Sequence, residues 1–140
     1  MRPYFLNIQY RMAPAIREFP SSRFYQGRLV DAPQLQQREM PAFLERFAGR
    51  NVAFVDVGFG REERKGESYC NRGEAQVVSR LVQCLITPEL SLGVITPYQA
   101  QRAEVKRACM RALRRNEDEK KMLEESVLID TVDSFQGQER

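Results

Sequence analysis

Three short polar segments hold the residues through which this sequence could bind a ligand: Gln9-Tyr10-Arg11, the segment Thr96-Pro97-Tyr98-Gln99-Ala100-Gln101, and the run from Thr131 through Glu139. Their chemistry is that of binding rather than proton transfer. No general base with a partner stands out beside them, and the chain contains no histidine, which removes Ser-His-Asp and Cys-His catalysis. Cys70, Cys84 and Cys109 are far apart, so no close Cys/His cluster can build a structural zinc site. A sparse, odd cysteine set suits a reducing compartment.

The elements that must carry these segments follow from local patterns. Residues 52–57, Val-Ala-Phe-Val-Asp-Val, are apolar nearly throughout and predict a strand buried on both faces of a parallel sheet. Residues 58–68 read as a polar, glycine-rich excursion. Asn71 and Glu74 have capping-box spacing and open a helix whose apolar stripe is Val77, Val78, Leu81, Val82 and Leu85, stopped by Pro88. Leu92-Gly93-Val94-Ile95 predicts a second buried strand, residues 98–115 a long helix, and Val127-Leu128-Ile129-Asp130 a third strand. Residues 116–125 are highly charged and solvated, helical in part. Near the start, residues 6–9 are expected to be extended, Pro14 to open a helix, and Pro20 to end it near Phe19. Residues 31–38 read as loop. Phe19, Phe24, Tyr25 and Phe135 are assigned to the core.

Strand, helix, strand, helix, strand is the grammar of an α/β layer with a mainly parallel sheet flanked by helices. In such sheets ligands gather beyond the carboxyl ends of the strands, where the second and third polar segments lie.

Totals add bounds. The chain has 140 residues, one domain's worth, with 42% hydrophobic and 29% charged side chains, the composition of a soluble globular protein. A net charge of +3 permits a nucleic-acid partner without arguing for one. The opening residues do not form a signal peptide and no run is long enough to span a membrane, so no membrane association is expected and the location is intracellular, nucleus or cytoplasm.

Each segment also has a plain structural reading. A Tyr-Arg pair near a helix start usually packs and carries surface charge. Thr before Pro at a strand end is commonly a turn residue, and Asp133 is read as a helix cap. Gly58-Phe59-Gly60 imitates a dinucleotide fingerprint, but Arg61-Glu62-Glu63-Arg64-Lys65 follows where a helix with a third glycine should open. Arg102, Lys106, Arg107, Arg111, Arg114 and Arg115 give one helix a basic side, read as a solvated face balanced by Glu117, Asp118 and Glu119 rather than a phosphate track.

Taken together, the motifs resemble those of the senataxin-like (Upf-like) group of superfamily 1 helicases. Gln9-Tyr10-Arg11-Met12, continued by Phe19-Pro20-Ser21 and Phe24-Tyr25-Gln26-Gly27, is similar to motif IV. Ser68, Asn71, Glu74 and Ala75 match a Ser-x-x-Asn-x-x-Glu-Ala segment of that group, and Gly93-Val94-Ile95-Thr96-Pro97-Tyr98 with Gln101 resembles its next signature. Thr131-Val132-Asp133-Ser134-Phe135-Gln136-Gly137-Gln138-Glu139 is similar to motif V over its whole length.

The resemblance implies that residues 1–140 are the second (C-terminal) RecA-like, P-loop NTPase-like lobe, incomplete at its C-terminal end. It implies ATP with Mg²⁺ as cofactor, single-stranded RNA or DNA as substrate, and the first RecA-like lobe of the same protein as partner. By it, Tyr10 stacks on adenine, Gln9 positions neighbouring groups of the nucleotide site, and Arg11 reaches the γ-phosphate in the catalytic role. Glu139 accepts a hydrogen bond from the ribose. Thr96 and Thr131 hold strand phosphates, with Tyr98 and Gln136 along the strand path or coupling it to the nucleotide. No Gly-x-x-x-x-Gly-Lys-Ser/Thr loop and no Asp-Glu pair at the end of an apolar strand occurs. The family carries these in its first lobe, holds Mg²⁺ mainly there, and places motif VI after motif V. These residues alone are therefore expected not to hydrolyse ATP, and to expose an unpaired sheet edge. The competing class is a non-catalytic nucleic-acid or protein-binding module derived from a helicase lobe.

Overall fold

The computed structural model describes residues 4–35, 52–88, 90–113 and 116–135. The chain divides into two compact units, residues 1–55 and 56–140. The fold class is α/β, with parallel strand pairs flanked by helices.

In the first unit, β1 (Ile8–Gln9) runs parallel to β2 (Val30–Asp31), with α1 (Pro14–Tyr25) as the crossover. Pro14 opens α1 as its spacing predicts, since a first-turn proline loses no helical hydrogen bond. Pro20 does not end the helix. It sits inside α1, where its missing N–H leaves the Ile16 carbonyl without its helical donor, and the helix continues past it. The end comes at Gln26 and Gly27, both left-handed, with the Gly27 N–H bonded to the Ser21 carbonyl at 2.9 Å. Among the described residues of this unit, Ser21, Ala32 and Leu35 are buried. Leu35 closes a 3₁₀ turn (Pro33–Leu35) within the segment read as loop. Phe19 and Phe24 are 69% and 68% exposed, which corrects their assignment to the core. They meet edge to face, with ring centroids 6.3 Å apart, on a helix face that nothing described in the unit covers.

The stretch across the boundary of the two units departs from expectation. Residues 52–57 form no strand, and Phe54 is 95% exposed. A buried strand needs a hydrogen-bonded neighbour, and no described segment pairs with this one. The polar excursion is instead a hairpin, β3 (Glu62–Lys65) antiparallel to β4 (Ser68–Asn71). Its two-residue loop places Gly66 at φ 62°, the left-handed conformation that glycine adopts without strain.

From there the sequence pattern holds. Helices α2 (Arg72–Leu85) and α3 (Gln99–Leu113) alternate with β5 (Leu92–Thr96), and α4 (Glu117–Ser126) leads into β6 (Val127–Thr131) and the single turn α5 (Val132–Phe135). Strands β5 and β6 are parallel neighbours, with α3 touching both strands, α2 and α4. Ala75 and Val82 of α2, Val105, Ala108, Cys109 and Leu113 of α3, Leu123 of α4 and Ile129 of β6 form the core. Burial pushes the Cys109 thiol up to about 11, marking it as packing rather than a nucleophile. The sheet is buried on one face only: Ile95, expected inside, is 55% exposed. Charged residues 117–119 are helical because Asn116 accepts the Asp118 and Glu119 N–H groups, and acids in a first turn complement the helix dipole. Among the described residues no helix is long and apolar enough to cross a membrane.

Candidate nucleotide and nucleic-acid sites

In the first unit, Gln9 is the organiser. Its side-chain Oε1 accepts the backbone N–H groups of Arg11 at 2.9 Å and Met12 at 2.7 Å, while Nε2 donates to the Met12 carbonyl and to Asp31 Oδ1. The amide thereby closes the turn between β1 and α1. Arg17 secures Asp31 from α1, its Nε and Nη2 donating to the two carboxylate oxygens at 3.1 and 2.8 Å. Ile8 and Gln9 pair with Val30 and Asp31, so strand register and the Arg17–Asp31–Gln9 chain hold one rigid turn. On it stand Tyr10, 64% exposed, and Arg11, also exposed. An open aromatic face beside a guanidinium is a donor set that fits the base and phosphates of a nucleotide. Arg17 and Asp31 have no short motif, and nothing in the sequence announces a pairing fourteen positions apart.

The hydrogen bonds from Arg17 and then Gln9 hold the Asp31 carboxyl below its ordinary value of 3.8. A lowered folded-state pKa adds stability that is complete above the unfolded value and lost as pH falls through the folded one. The turn is therefore expected to stay ordered at neutral pH and loosen in acid below the ordinary aspartate range. Amide exchange of Arg11 and Met12 against pH checks this. An Asp31→Asn variant with the same acid dependence as the parent would remove Asp31 as its cause.

In the second unit, the carboxyl ends of β5 and β6 come together in register, with Thr96 directly opposite Thr131. Both threonines are buried, and both hydroxyls are engaged locally. Thr96 Oγ1 donates to the Tyr98 carbonyl at 3.1 Å, and Thr131 Oγ1 lies 3.2 Å from Ser134 Oγ. Asp130 Oδ1 accepts the Thr131 N–H at 2.8 Å, and Arg102 of α3 pairs with the same carboxylate at 3.0 Å. That backbone bond first, then Ser134 and nearby Arg102 and Lys106, hold Asp130 below its ordinary value. Asp133 lies inside the first turn of α5 rather than at its cap, because the helix starts at Val132. The Phe135 ring folds back onto β5, where a Cβ on Gly93 would come within 3.2 Å of it.

Tyr98 is 42% exposed and leans on Tyr69 of the hairpin, ring centroids 5.5 Å apart. A cavity of about 200 Å³ beside them is lined by Glu62, Asn71, Glu74, Pro97 and Gln101. The other motif residues meet behind it. Gln101, buried, accepts the Asn71 N–H at 2.7 Å and donates to the Asn71 carbonyl and Glu74 at 3.2 Å each. Asn71 caps α2 by accepting the Glu74 N–H, while Ser68 accepts the Ala100 N–H at the start of α3. The Ser-x-x-Asn-x-x-Glu spacing is thus a junction tying hairpin, α2 and α3 together, and it sets where Pro97 and Tyr98 stand.

Tyr10, Gln9 and Arg11 belong to the first unit, and Thr96, Tyr98 and Thr131 to the second. Gln136 and Glu139 lie outside the described residues. The basic side of α3 is arranged otherwise than expected: Arg102 pairs with Asp130, and Arg107 and Arg111 both reach the buried Glu104 rather than the acids of α4. Glu104 escaped the sequence pattern because a lone carboxylate in a charged helix gives no sign of burial. Among the described residues no cluster of three or more His, Cys, Asp or Glu side chains is placed to hold a metal.

Comparison with known proteins gives these arrangements a lineage. The family model described as an AAA domain matches residues 1–140. The chain is 36% identical over 146 residues to the regulator of nonsense transcripts 1 homolog of Arabidopsis thaliana, covering 100% of this chain and 11% of that protein. It is 34% identical to Helicase SEN1 of Saccharomyces cerevisiae, covering 99% of this chain and 6% of that protein. It is 35% identical to the ATP-dependent helicase NAM7 of the same yeast, covering 99% of this chain and 14% of that protein. The chain therefore spans a small part of the length of these relatives. With motif order, α/β architecture and whole-chain similarity in agreement, the chain belongs to the AAA-domain family, in the senataxin-like group of superfamily 1 helicases.

Proposed function

We propose that residues 1–140 act as the second RecA-like lobe of an ATP-dependent RNA or DNA helicase or translocase, supplying half of an ATP site and part of a single-strand path. The observation that carries this reading is the register of β5 and β6, which sets Thr96 against Thr131 at the carboxyl edge where open α/β sheets bind ligands. Thr131, its N–H on Asp130 and its hydroxyl beside Ser134, and Thr96, its hydroxyl on the Tyr98 carbonyl, would meet phosphate oxygens by exchanging these local partners for them. The exposed face of Tyr98 beside them offers a surface for a base.

The nucleotide would be held by the first unit. Tyr10 offers its ring to the base, Arg11 its charge to the terminal phosphate, and Gln9 keeps both on one turn. Glu139 is assigned to the ribose and Gln136 to the strand path by motif V alone. ATP bound between lobes supplies the free energy of the cycle. The Walker loop, most Mg²⁺ ligands and motif VI belong to other parts of such an enzyme, so these residues alone are not expected to turn over ATP. On this reading the protein would work inside the cell, in nucleus or cytoplasm, with the first lobe as its partner.

Thr131→Ala removes the hydroxyl facing Ser134. Strand affinity is expected to fall several-fold in fluorescence anisotropy with a labelled oligouridylate, across a salt series. Unchanged affinity at every salt concentration would refute the phosphate assignment.

A further inference from the structure

Along the outer side of the second unit, α2 and α3 enclose a groove of about 550 Å³ lined by Arg72, Gln76, Ser79, Glu104, Arg107 and Arg111. Its electrostatics are lopsided. Glu104 is 5% exposed at the side chain, and three cations converge on it: Arg107 Nη2 at 2.7 Å, Arg111 Nη2 at 3.4 Å and Lys65 Nζ at 3.6 Å. One cation would neutralise the carboxylate. Arg107 and Arg111 each spend Nη2 on it, Arg107 also giving Nε to the Ala103 carbonyl, while staying 58% and 66% exposed, and a guanidinium has five N–H donors. Arg72 adds a fourth cation, with its own partner Glu63 at 3.5 Å. The buried carboxylate works as an anchor that orients two arginine forks toward solvent, ready for flat, bidentate anions.

We propose that this groove docks an extended acidic peptide segment of a partner protein, its carboxylates taken by Arg107, Arg111 and Arg72. Charge complementarity selects the partner. A polynucleotide fits less well, because Glu104 stands in the groove lining and Glu63 is paired with Arg72, so carboxylates interrupt a continuous phosphate track. Carboxylates need no such track and pair with guanidinium forks one by one. Its lining shares no residue with the proposed ATP and strand sites, so either can fail without the other.

The test is fluorescence anisotropy of the full chain with a labelled octaglutamate peptide at low ionic strength, where surface charges are least screened. The peptide is expected to bind, and a double Arg107→Glu, Arg111→Glu variant to lose at least tenfold in affinity. Thr131→Ala and the distant Lys121→Glu are expected to leave peptide binding unchanged. Should the double variant unfold by circular dichroism, the single Arg111→Gln variant, altered at a largely exposed side chain, is expected to lose affinity several-fold. No peptide binding, equal binding by the arginine variants, or displacement of the peptide by oligouridylate with the same arginine dependence would each overturn the proposal.

Discussion

Arg11→Ala, in a protein carrying both lobes, is expected to lower ATP turnover by about 10³-fold or more while strand affinity stays within twofold. That is the scale on which arginines at a transferring phosphoryl group act, since charge shifts onto the phosphate oxygens and a fixed guanidinium meets it at no reorganisation cost. The structure makes the variant informative. Gln9 holds the backbone N–H of Arg11, so alanine keeps that bond while removing the guanidinium. Gln9→Ala should differ. It withdraws the acceptor from both Arg11 and Met12, loosening the turn, and is expected to reduce turnover less and raise the nucleotide KM. Steady-state ATPase assays beside anisotropy with labelled oligouridylate separate the cases. Turnover at the parental rate in Arg11→Ala would take the arginine out of the site.

Gln101→Ala is the second large effect, and it acts through structure. The buried amide satisfies both the N–H and the carbonyl of Asn71 and also bonds Glu74. Truncation leaves two backbone groups without these partners, at about 1–3 kcal/mol for each group left unsatisfied, so a loss of about 2–6 kcal/mol is expected. Urea denaturation followed by circular dichroism measures it. The loss should carry a functional shadow, because the same junction sets the start of α3 and hence Pro97 and Tyr98. Strand affinity is expected to weaken even where the variant is fully folded. A stability change under about 0.5 kcal/mol, the usual range of a surface substitution, would mean the junction is dispensable.

What could be read from the chain, and what could not, divides along a physical line. The Asn71–Glu74 cap, the apolar stripes of α2 and α3 and the strand at Leu92 were legible because each rests on contacts between residues a few positions apart, where type and spacing decide the outcome. Pro20 misled because a local rule, that proline stops a helix, yields when the surrounding turn and cap outweigh one lost hydrogen bond. The hairpin at Glu62–Asn71 was hidden because β3 is charged and largely exposed, while β4, which buries Cys70, is too short to show apolar alternation. Phe19 and Phe24 failed as core because hydrophobicity states a preference for burial without supplying the neighbour that would bury them.

The motif residues themselves, Tyr10, Arg11, Thr96 and Thr131, were all found in the sequence, and their order already identified the family. Resemblance to a known family's motifs supplied that much; residue type and spacing alone left the plain structural readings open. Only the tertiary structure set Thr96 opposite Thr131, tied both Gln9 and Arg17 to Asp31, and brought Lys65 of the hairpin onto the buried Glu104 of α3. Those pairings join residues from different elements, and strand register and helix packing, which arise only when the chain closes on itself, decide them.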